Sequence, residues 1–161
     1  MEDHTNFLKE SDLFHNLNDT QIAMINSICE LKHFNKNEII FIENITETEL
    51  YLILQGQVEI VVNPDLVSPQ PQETSKSHTI ATLGRGQSFG EMALVDQGIR
   101  SAGAVASEKK TMLLMISRKK LLLLCDTFPE LGYRVMFNLA VDLAQKIRKT
   151  DLLIRESLLE K

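Results

Sequence analysis

Tryptophan is absent from the 161 residues, and two tyrosines and seven phenylalanines supply all the aromatic rings. Cysteine is nearly as scarce. Cys29 and Cys125 can build no disulfide framework, and neither stands in a C-x-x-C metal-ligand spacing. No long apolar run is present: the stretch from Leu121 to Cys125 falls far short of the roughly 18 residues a membrane-spanning helix needs. The opening MEDHTNFLKES has neither a basic start nor an apolar core, so it does not read as a secretory signal. These absences lead to the expectation of a reduced, cytoplasmic protein with no membrane partner.

A basic face is missing as well. The formal net charge is −5, and it is uneven: residues 1–116 carry 16 acidic and 8 basic side chains, residues 117–161 carry 6 and 9. Binding to a phosphate backbone needs a concentrated basic surface, so nucleic acid is not an expected partner of this chain. Any anion must be held by local groups against an unfavourable overall field. What is there is the balance of a soluble globular protein, 43% hydrophobic and 24% charged, in a length suited to one domain over residues 1–161.

Glycine and proline divide the chain. Six of seven glycines lie between Gly56 and Gly103, and three of four prolines between Pro64 and Pro71. Turn-poor ends around a turn-rich middle predict helices flanking a β region. Phe7, Leu8, Leu13, Phe14 and Leu17 mark a first short helical segment. Asn18 or Asp19 can cap a second, with Ile22, Ile25, Ile28, Cys29 and Leu31 at helical spacing, so residues 1–34 are expected to be helical. Strands are expected at 38–42, 50–54, 58–62, 79–83, 101–106 and 111–116. Gln55-Gly56-Gln57 reads as a tight hairpin turn, and residues 63–78 as a loop. Residues 118–125 can form a short helix, and Pro129 suits the first turn of a long one reaching about Leu159. Short strands without intervening long helices predict a mainly β fold, an antiparallel β-roll or jelly roll over 35–117, with N-terminal helices and C-terminal helices over 118–161.

The informative segment is GRGQSFGEMALVDQGIRSAGAVA, from Gly84 to Ala106. Gly90 opens a short helix-forming stretch, Gly90 to Leu94, where a glycine lets the backbone approach a ligand and free N–H groups favour an anion. Nine residues after Glu91, Arg100 supplies a planar fork of donors suited to phosphate. Ser101 and Ala102 are small enough to admit a ligand. Glu91 would repel a phosphate unless it faces a neutral donor such as a sugar hydroxyl. An anion at one end and a hydroxyl donor at the other describe a ribose phosphate.

The pattern F-G-E-M-A-L-x5-R-S-A, residues 89–102, resembles the phosphate-binding cassette of cyclic nucleotide-binding domains, the family of cyclic AMP-dependent kinase regulatory subunits and of sensors related to catabolite activator protein. The resemblance continues through Leu13-Phe14 and Leu17, through Leu50 to Val58, through Leu83-Gly84-Arg85-Gly86, and into the long helix from Pro129. It implies that Glu91 binds the ribose 2′-hydroxyl and Arg100 the cyclic phosphate. Backbone N–H groups around Gly90, Glu91 and Ala93, with those of Ser101 and Ala102, would complete the cradle that also contains Met92. Leu83, Lys146 and Ile147 are the candidates for contacts to the base. The sequence departs from the family at Gly103 and Ala104, where Thr or Val is commoner, and at Asn35-Lys36-Asn37-Glu38, which replaces a glycine-containing turn.

The resemblance implies a regulatory module, not an enzyme, that needs no cofactor beyond its ligand, cyclic AMP or cyclic GMP. Ser101 can serve either a guanine amino group or the phosphate; the reading leans to cyclic AMP. The alternatives are a structural or dimerisation module with a dead pocket, in which Glu91 and Arg100 merely pair or decorate a surface, and a cupin-type barrel enzyme. His4, His15, His33 and His78 form no H-x-H pair, against a metal enzyme, and Ser101 has no histidine near it in sequence to activate it. Met92, Met112 and Met115 read as core fillers, and Arg118-Lys119-Lys120 as a solvated helix face. Relatives that bind DNA carry a helix-turn-helix unit after the long helix; here the sequence stops at Lys161, so no DNA binding by this chain alone is expected. Leu139, Leu143, Ile147, Ile154 and Leu158 form an apolar stripe on the last helix, interrupted near Thr150-Asp151. Beyond Leu143 the helix is expected to outrun the barrel by roughly 24 Å, so a homodimer or docking onto an effector is expected through this helix.

Overall fold

The computed structural model describes residues 3–63, 76–96 and 99–159. Helix α1 (Thr5–Glu10), a 3-10 turn (Asp12–Phe14) and α2 (Asp19–Ser27) precede β1 (Cys29–Phe34), β2 (Ile39–Phe41), β3 (Glu49–Gln55), β4 (Val58–Val62), β5 (His78–Leu83) and β6 (Ser88–Phe89). Then come α3 (Met92–Asp96), β7 (Gly103–Ala106), β8 (Thr111–Ser117), α4 (Arg118–Thr127) and α5 (Pro129–Leu159). The strands form two four-stranded antiparallel sheets, ordered β1-β8-β3-β6 and β2-β7-β4-β5. This is the expected jelly-roll arrangement with flanking helices. Of the expected loop over 63–78, residues 64–75 lie outside the described residues.

The first sheet is buried on both faces, which is why β3 reads as the unbroken apolar run LYLIL. Side chains alternate along a strand. Leu50 and Leu52 of β3, with Leu114 and Ile116 of β8, pack against Phe7, Leu8, Phe14, Ile22, Leu121, Leu131 and Leu139 from the helices. Tyr51, Ile53 and Leu113 face the other way, into the space between the sheets, with Phe41, Val58, Leu83, Phe89 and Ala104. Each such side chain contributes about 1.5–3 kcal/mol by leaving water.

Asn18 caps α2 through a reciprocal box: its side chain accepts from the Gln21 N–H at 2.9 Å, and Gln21 accepts from the Asn18 N–H at 2.9 Å. Three sequence expectations are corrected. The second helix stops at Ser27, and Cys29 and Leu31 belong to β1, opposite Ile116 and Leu114 of β8. Two residues apart, Cys29 and Leu31 also satisfy the strand period, and pairing with β8 decides between the two periods. The helical segment expected over 1–34 is therefore shorter, and the sheet begins at Cys29. Gln55-Gly56-Gln57 is not a hairpin between paired strands, because β3 and β4 lie in different sheets. The turn crosses between sheets at Gly56 (φ +84°), where a Cβ would stand 2.6 Å from Thr111 Oγ1. Strand β6 spans two residues and left no periodic signal. Asn37 adopts φ +67° in the Asn35–Glu38 turn, the expected departure from a glycine-containing turn, and its N–H donates to the Ala106 carbonyl at 2.7 Å. Asparagine tolerates the left-handed region, so this departure preserves the turn.

Helix α5 runs 31 residues from Pro129, about 46 Å at 1.5 Å per residue. Its head is anchored: the Asn138 side-chain amide donates to the Leu13 and His15 carbonyls at 3.0 and 2.8 Å. From Ile147 to Leu159 every residue is exposed, so the helix outruns the rest of the fold as expected. The expected apolar stripe divides, because Leu139 is buried and Leu143 half-buried in the core, whereas Ile147, Ile154 and Leu158 face solvent. Among the described residues no helix is long and apolar enough to cross a membrane.

Candidate functional site

Arg100 is 4% exposed, which for an arginine requires partners. Its Nη1 donates to the Gly90 carbonyl at 3.0 Å and its Nη2 to the Glu49 carbonyl at 2.7 Å. The guanidinium carbon lies 4.1 Å from the centre of the Phe41 ring, a cation–π contact. Phe41 closes an aromatic floor with Tyr51 and Phe89, whose rings stack at 5.2 Å. The Arg100 backbone is tied to the loop before β3: its N–H donates to the Ile45 carbonyl and its carbonyl accepts from the Asn44 N–H. Burial pulls the Arg100 pKa down, while the charges of Tyr51, Glu47, Glu49 and Glu91 oppose that shift. Burial also pushes the Tyr51 phenol up to about 12, with Glu47 and Glu49 adding to the effect. Arg100 Nε is buried and has no hydrogen-bond partner among the described residues.

Gly90 shapes the other side. It sits at φ +78° immediately before Glu91, and a Cβ on it would stand 2.6 Å from Arg100 Nη1 and 2.9 Å from the Glu49 carbonyl oxygen. Only a residue without a side chain lets the cassette backbone lie against the guanidinium. Helix α3 begins two residues later than expected, at Met92, so Gly90 and Glu91 belong to the turn leading into it.

Glu91 is 6% exposed. It does not pair with Arg100, as one alternative reading had it: its Oε1 forms an ion pair with Lys146 Nζ of α5 at 2.9 Å. The same ammonium reaches Asp142 Oδ2, one helical turn earlier, at 2.8 Å and the Ser88 carbonyl at 2.8 Å. The C-terminal helix is thereby joined to β6 and the cassette.

The other expected residues divide. Ala93 is buried in α3, Ala102 is half-buried, and Ser101 is exposed with its hydroxyl 3.7 Å from Met92 Sδ. Met92 is half exposed at the cassette surface, which corrects its reading as a core filler; Met112 and Met115 are partly buried. Leu83 packs in the core between the sheets, Lys146 faces the cassette, and Ile147, the next residue of α5, is exposed. Arg118 is half-buried rather than part of a solvated basic face, and its Nε donates to the Leu94 carbonyl at 3.0 Å, fixing the α3 backbone. Sequence reasoning missed the Glu49 carbonyl and Phe41, since neither a backbone acceptor nor a ring 59 residues away leaves a local motif. A surface cleft of about 550 Å³ lies apart from the cassette, between residues 16–21 and the head of α5, and no cassette residue lines it. Among the described residues no group of three His, Cys, Asp or Glu side chains is placed to hold a metal ion.

Comparison with known proteins bears on the fold and the family. A family model described as cyclic nucleotide-binding domain matches residues 31–128. The cyclic AMP receptor protein of Thermus thermophilus is 33% identical over 145 residues, covering 90% of this chain and 61% of that protein. The mouse cGMP-dependent protein kinase 2 is 29% identical over 142 residues, 85% of this chain and 18% of the kinase. The crystal structure of Thermus thermophilus catabolite activator protein superposes with a TM-score of 0.73 at 33% identity, covering 93% of this chain and 63% of that one. The chain thus spans less than two thirds of the length of each of these relatives.

Proposed function

The chain belongs to the cyclic nucleotide-binding domain family, and on that premise we propose that its cassette holds the ribose phosphate of a cyclic mononucleotide, cyclic AMP in preference to cyclic GMP, and passes occupancy on through α5. The fold is typical of regulatory, non-catalytic domains. The observation that carries the reading is Arg100, buried against Gly90 with its Nε unpartnered. A buried donor without a partner costs about 1–3 kcal/mol, which an anionic acceptor would recover. In this reading Arg100 binds the cyclic phosphate, and Glu91 the ribose 2′-hydroxyl. Backbone N–H groups at Gly90, Glu91, Ala93, Ser101 and Ala102 complete the cradle. The test is calorimetric titration of the purified chain with cyclic AMP and cyclic GMP; saturable cyclic AMP binding is expected, and no heat with either nucleotide would leave the dead-pocket alternative standing.

The names of the relatives point both ways on the base, one to cyclic AMP and one to cyclic GMP. Ser101 is exposed at the cassette surface, where its hydroxyl can reach a phosphate or a guanine amino group. If it serves the phosphate, Ser101→Ala lowers the affinity for both nucleotides by the same factor, about threefold to tenfold for one neutral hydrogen bond. Selective loss of cyclic GMP binding in the same titrations would reverse the assignment.

The partner proposed for α5 is a second copy of the chain. Exposed positions Tyr133, Phe137, Ala140, Ala144, Ile147, Asp151, Ile154 and Leu158 alternate by four and three residues, the spacing of a coiled-coil seam. Asp151 interrupts the seam three residues after Arg148 and four before Arg155, so opposite charges flank it. Sedimentation is expected to show a dimer of the full chain and a monomer when residues after Thr150 are deleted. A monomer at high concentration, with and without nucleotide, would leave docking onto another protein instead.

A further inference from the structure

We propose that Lys146 is a positioning residue that competes with the ligand for Glu91, so that ribose recognition and release of α5 draw on one carboxylate; this rests on the reading of Glu91 as the ribose partner. A lysine ammonium has three N–H donors, and here three oxygens lie close to it. The Ser88 carbonyl accepts a hydrogen bond at 2.8 Å, while Glu91 Oε1 at 2.9 Å and Asp142 Oδ2 at 2.8 Å are ion-paired with it, Asp142 Oδ2 without hydrogen-bond alignment. Two of the three belong to the cassette region and one to the helix that carries the lysine. The Glu91 and Asp142 side chains are 8% and 18% exposed, so little water is at hand to replace the ammonium.

A hydroxyl bonds more strongly to a free carboxylate than to one already neutralised by a cation, since charge assistance is what strengthens such bonds. While Lys146 holds Glu91, a ribose hydroxyl meets a partly neutralised acceptor. Conversely, a ribose hydroxyl donated to Glu91 withdraws acceptor strength from Lys146. The two effects are equal by linkage. Asp142, one turn away on α5, gives the ammonium a second resting place when it leaves Glu91 and Ser88. The two-state element is therefore the Lys146 side chain, bound either across to the cassette or back along its own helix.

The test uses the full chain and Lys146→Met, which keeps an apolar stem and removes the charge. Titrations with cyclic AMP and 2′-deoxy cyclic AMP give an affinity ratio that reports the 2′-hydroxyl alone. The expected result is that the ratio rises by about fivefold or more in Lys146→Met, the lower end of usual coupling between sites. An unchanged ratio would mean that Lys146 only stabilises the helix, and a fall would mean that it assists the ribose; either overturns the proposal. Without any nucleotide, amide hydrogen exchange over residues 140–150 should speed up in Lys146→Met and Glu91→Gln, and no further in the double variant. Additive increases would overturn the tether. If neither nucleotide binds the wild-type chain, the ribose reading fails, and the exchange series still decides whether Lys146 ties α5 to Glu91.

Discussion

Arg100→Leu is expected to lower cyclic nucleotide affinity by about one to three orders of magnitude, a loss of about 1.5–4 kcal/mol in charge-assisted hydrogen bonding. Leucine keeps bulk over the Phe41 ring but supplies no donors. The Gly90 and Glu49 carbonyls, at 3.0 and 2.7 Å from the guanidinium, would each lose a partner. The variant should therefore also be less stable, by about 1–3 kcal/mol for the exposed deficit of buried acceptors. Both measurements are needed. Thermal unfolding shows that the chain is still folded at the titration temperature, and calorimetry with cyclic AMP then reads the site. Unchanged affinity in a folded Arg100→Leu chain would remove Arg100 from the phosphate site.

Gly90→Ala is expected to damage the same site from the opposite side. The backbone there has φ +78°, a region that costs an alanine about 1–2 kcal/mol. The new Cβ would stand 2.6 Å from Arg100 Nη1 and 2.9 Å from the Glu49 carbonyl oxygen, so the guanidinium must withdraw from both carbonyls or the turn must open. Overpacking of this kind costs about 1–3 kcal/mol more. At about 2–4 °C per kcal/mol for a chain of this size, melting should fall by roughly 4–20 °C. Nucleotide affinity should fall with it, because Arg100 no longer sits where the cassette backbone can share its ligand. Arg100→Leu with Gly90→Ala should lose less binding than the sum of the two single losses, since both act on one guanidinium. An alanine variant with wild-type melting and affinity would show that the close approach carries no function.

Much of the site was legible because its chemistry is local in sequence. Gly90, Glu91, Arg100, Ser101 and Ala102 fall within 13 consecutive positions, and their residue types already describe an anion site next to a hydroxyl acceptor. The long helix was equally legible: Pro129 suits a first turn, and little after it interrupts the helical pattern until Leu159. The N-terminal boundary was not. Ile22, Ile25, Ile28, Cys29 and Leu31 satisfy a helical spacing, while Cys29 and Leu31 also satisfy a strand spacing, and a single sequence contains nothing that ranks the two.

The sequence by itself determined the elements whose signals lie within one turn or one strand: a cap of α2 at Asn18 or Asp19, the strand at Val58–Val62, the helix after Pro129, and the residue types of the cassette. Tertiary structure alone decided what those elements meet. Pairing with β8 made Cys29–Phe34 a strand, and the division of β3 and β4 between two sheets turned a presumed hairpin at Gly56 into a crossing. It also set the Arg100 guanidinium on the Gly90 and Glu49 carbonyls and over the Phe41 ring, and carried Lys146 across to Glu91 from 55 positions away. Spacing along the chain encodes periodicity and caps, which are short-range properties. Ion pairs and carbonyl contacts between distant residues depend on where whole elements pack, and the two-sided burial of the first sheet is what brings α5 to the cassette.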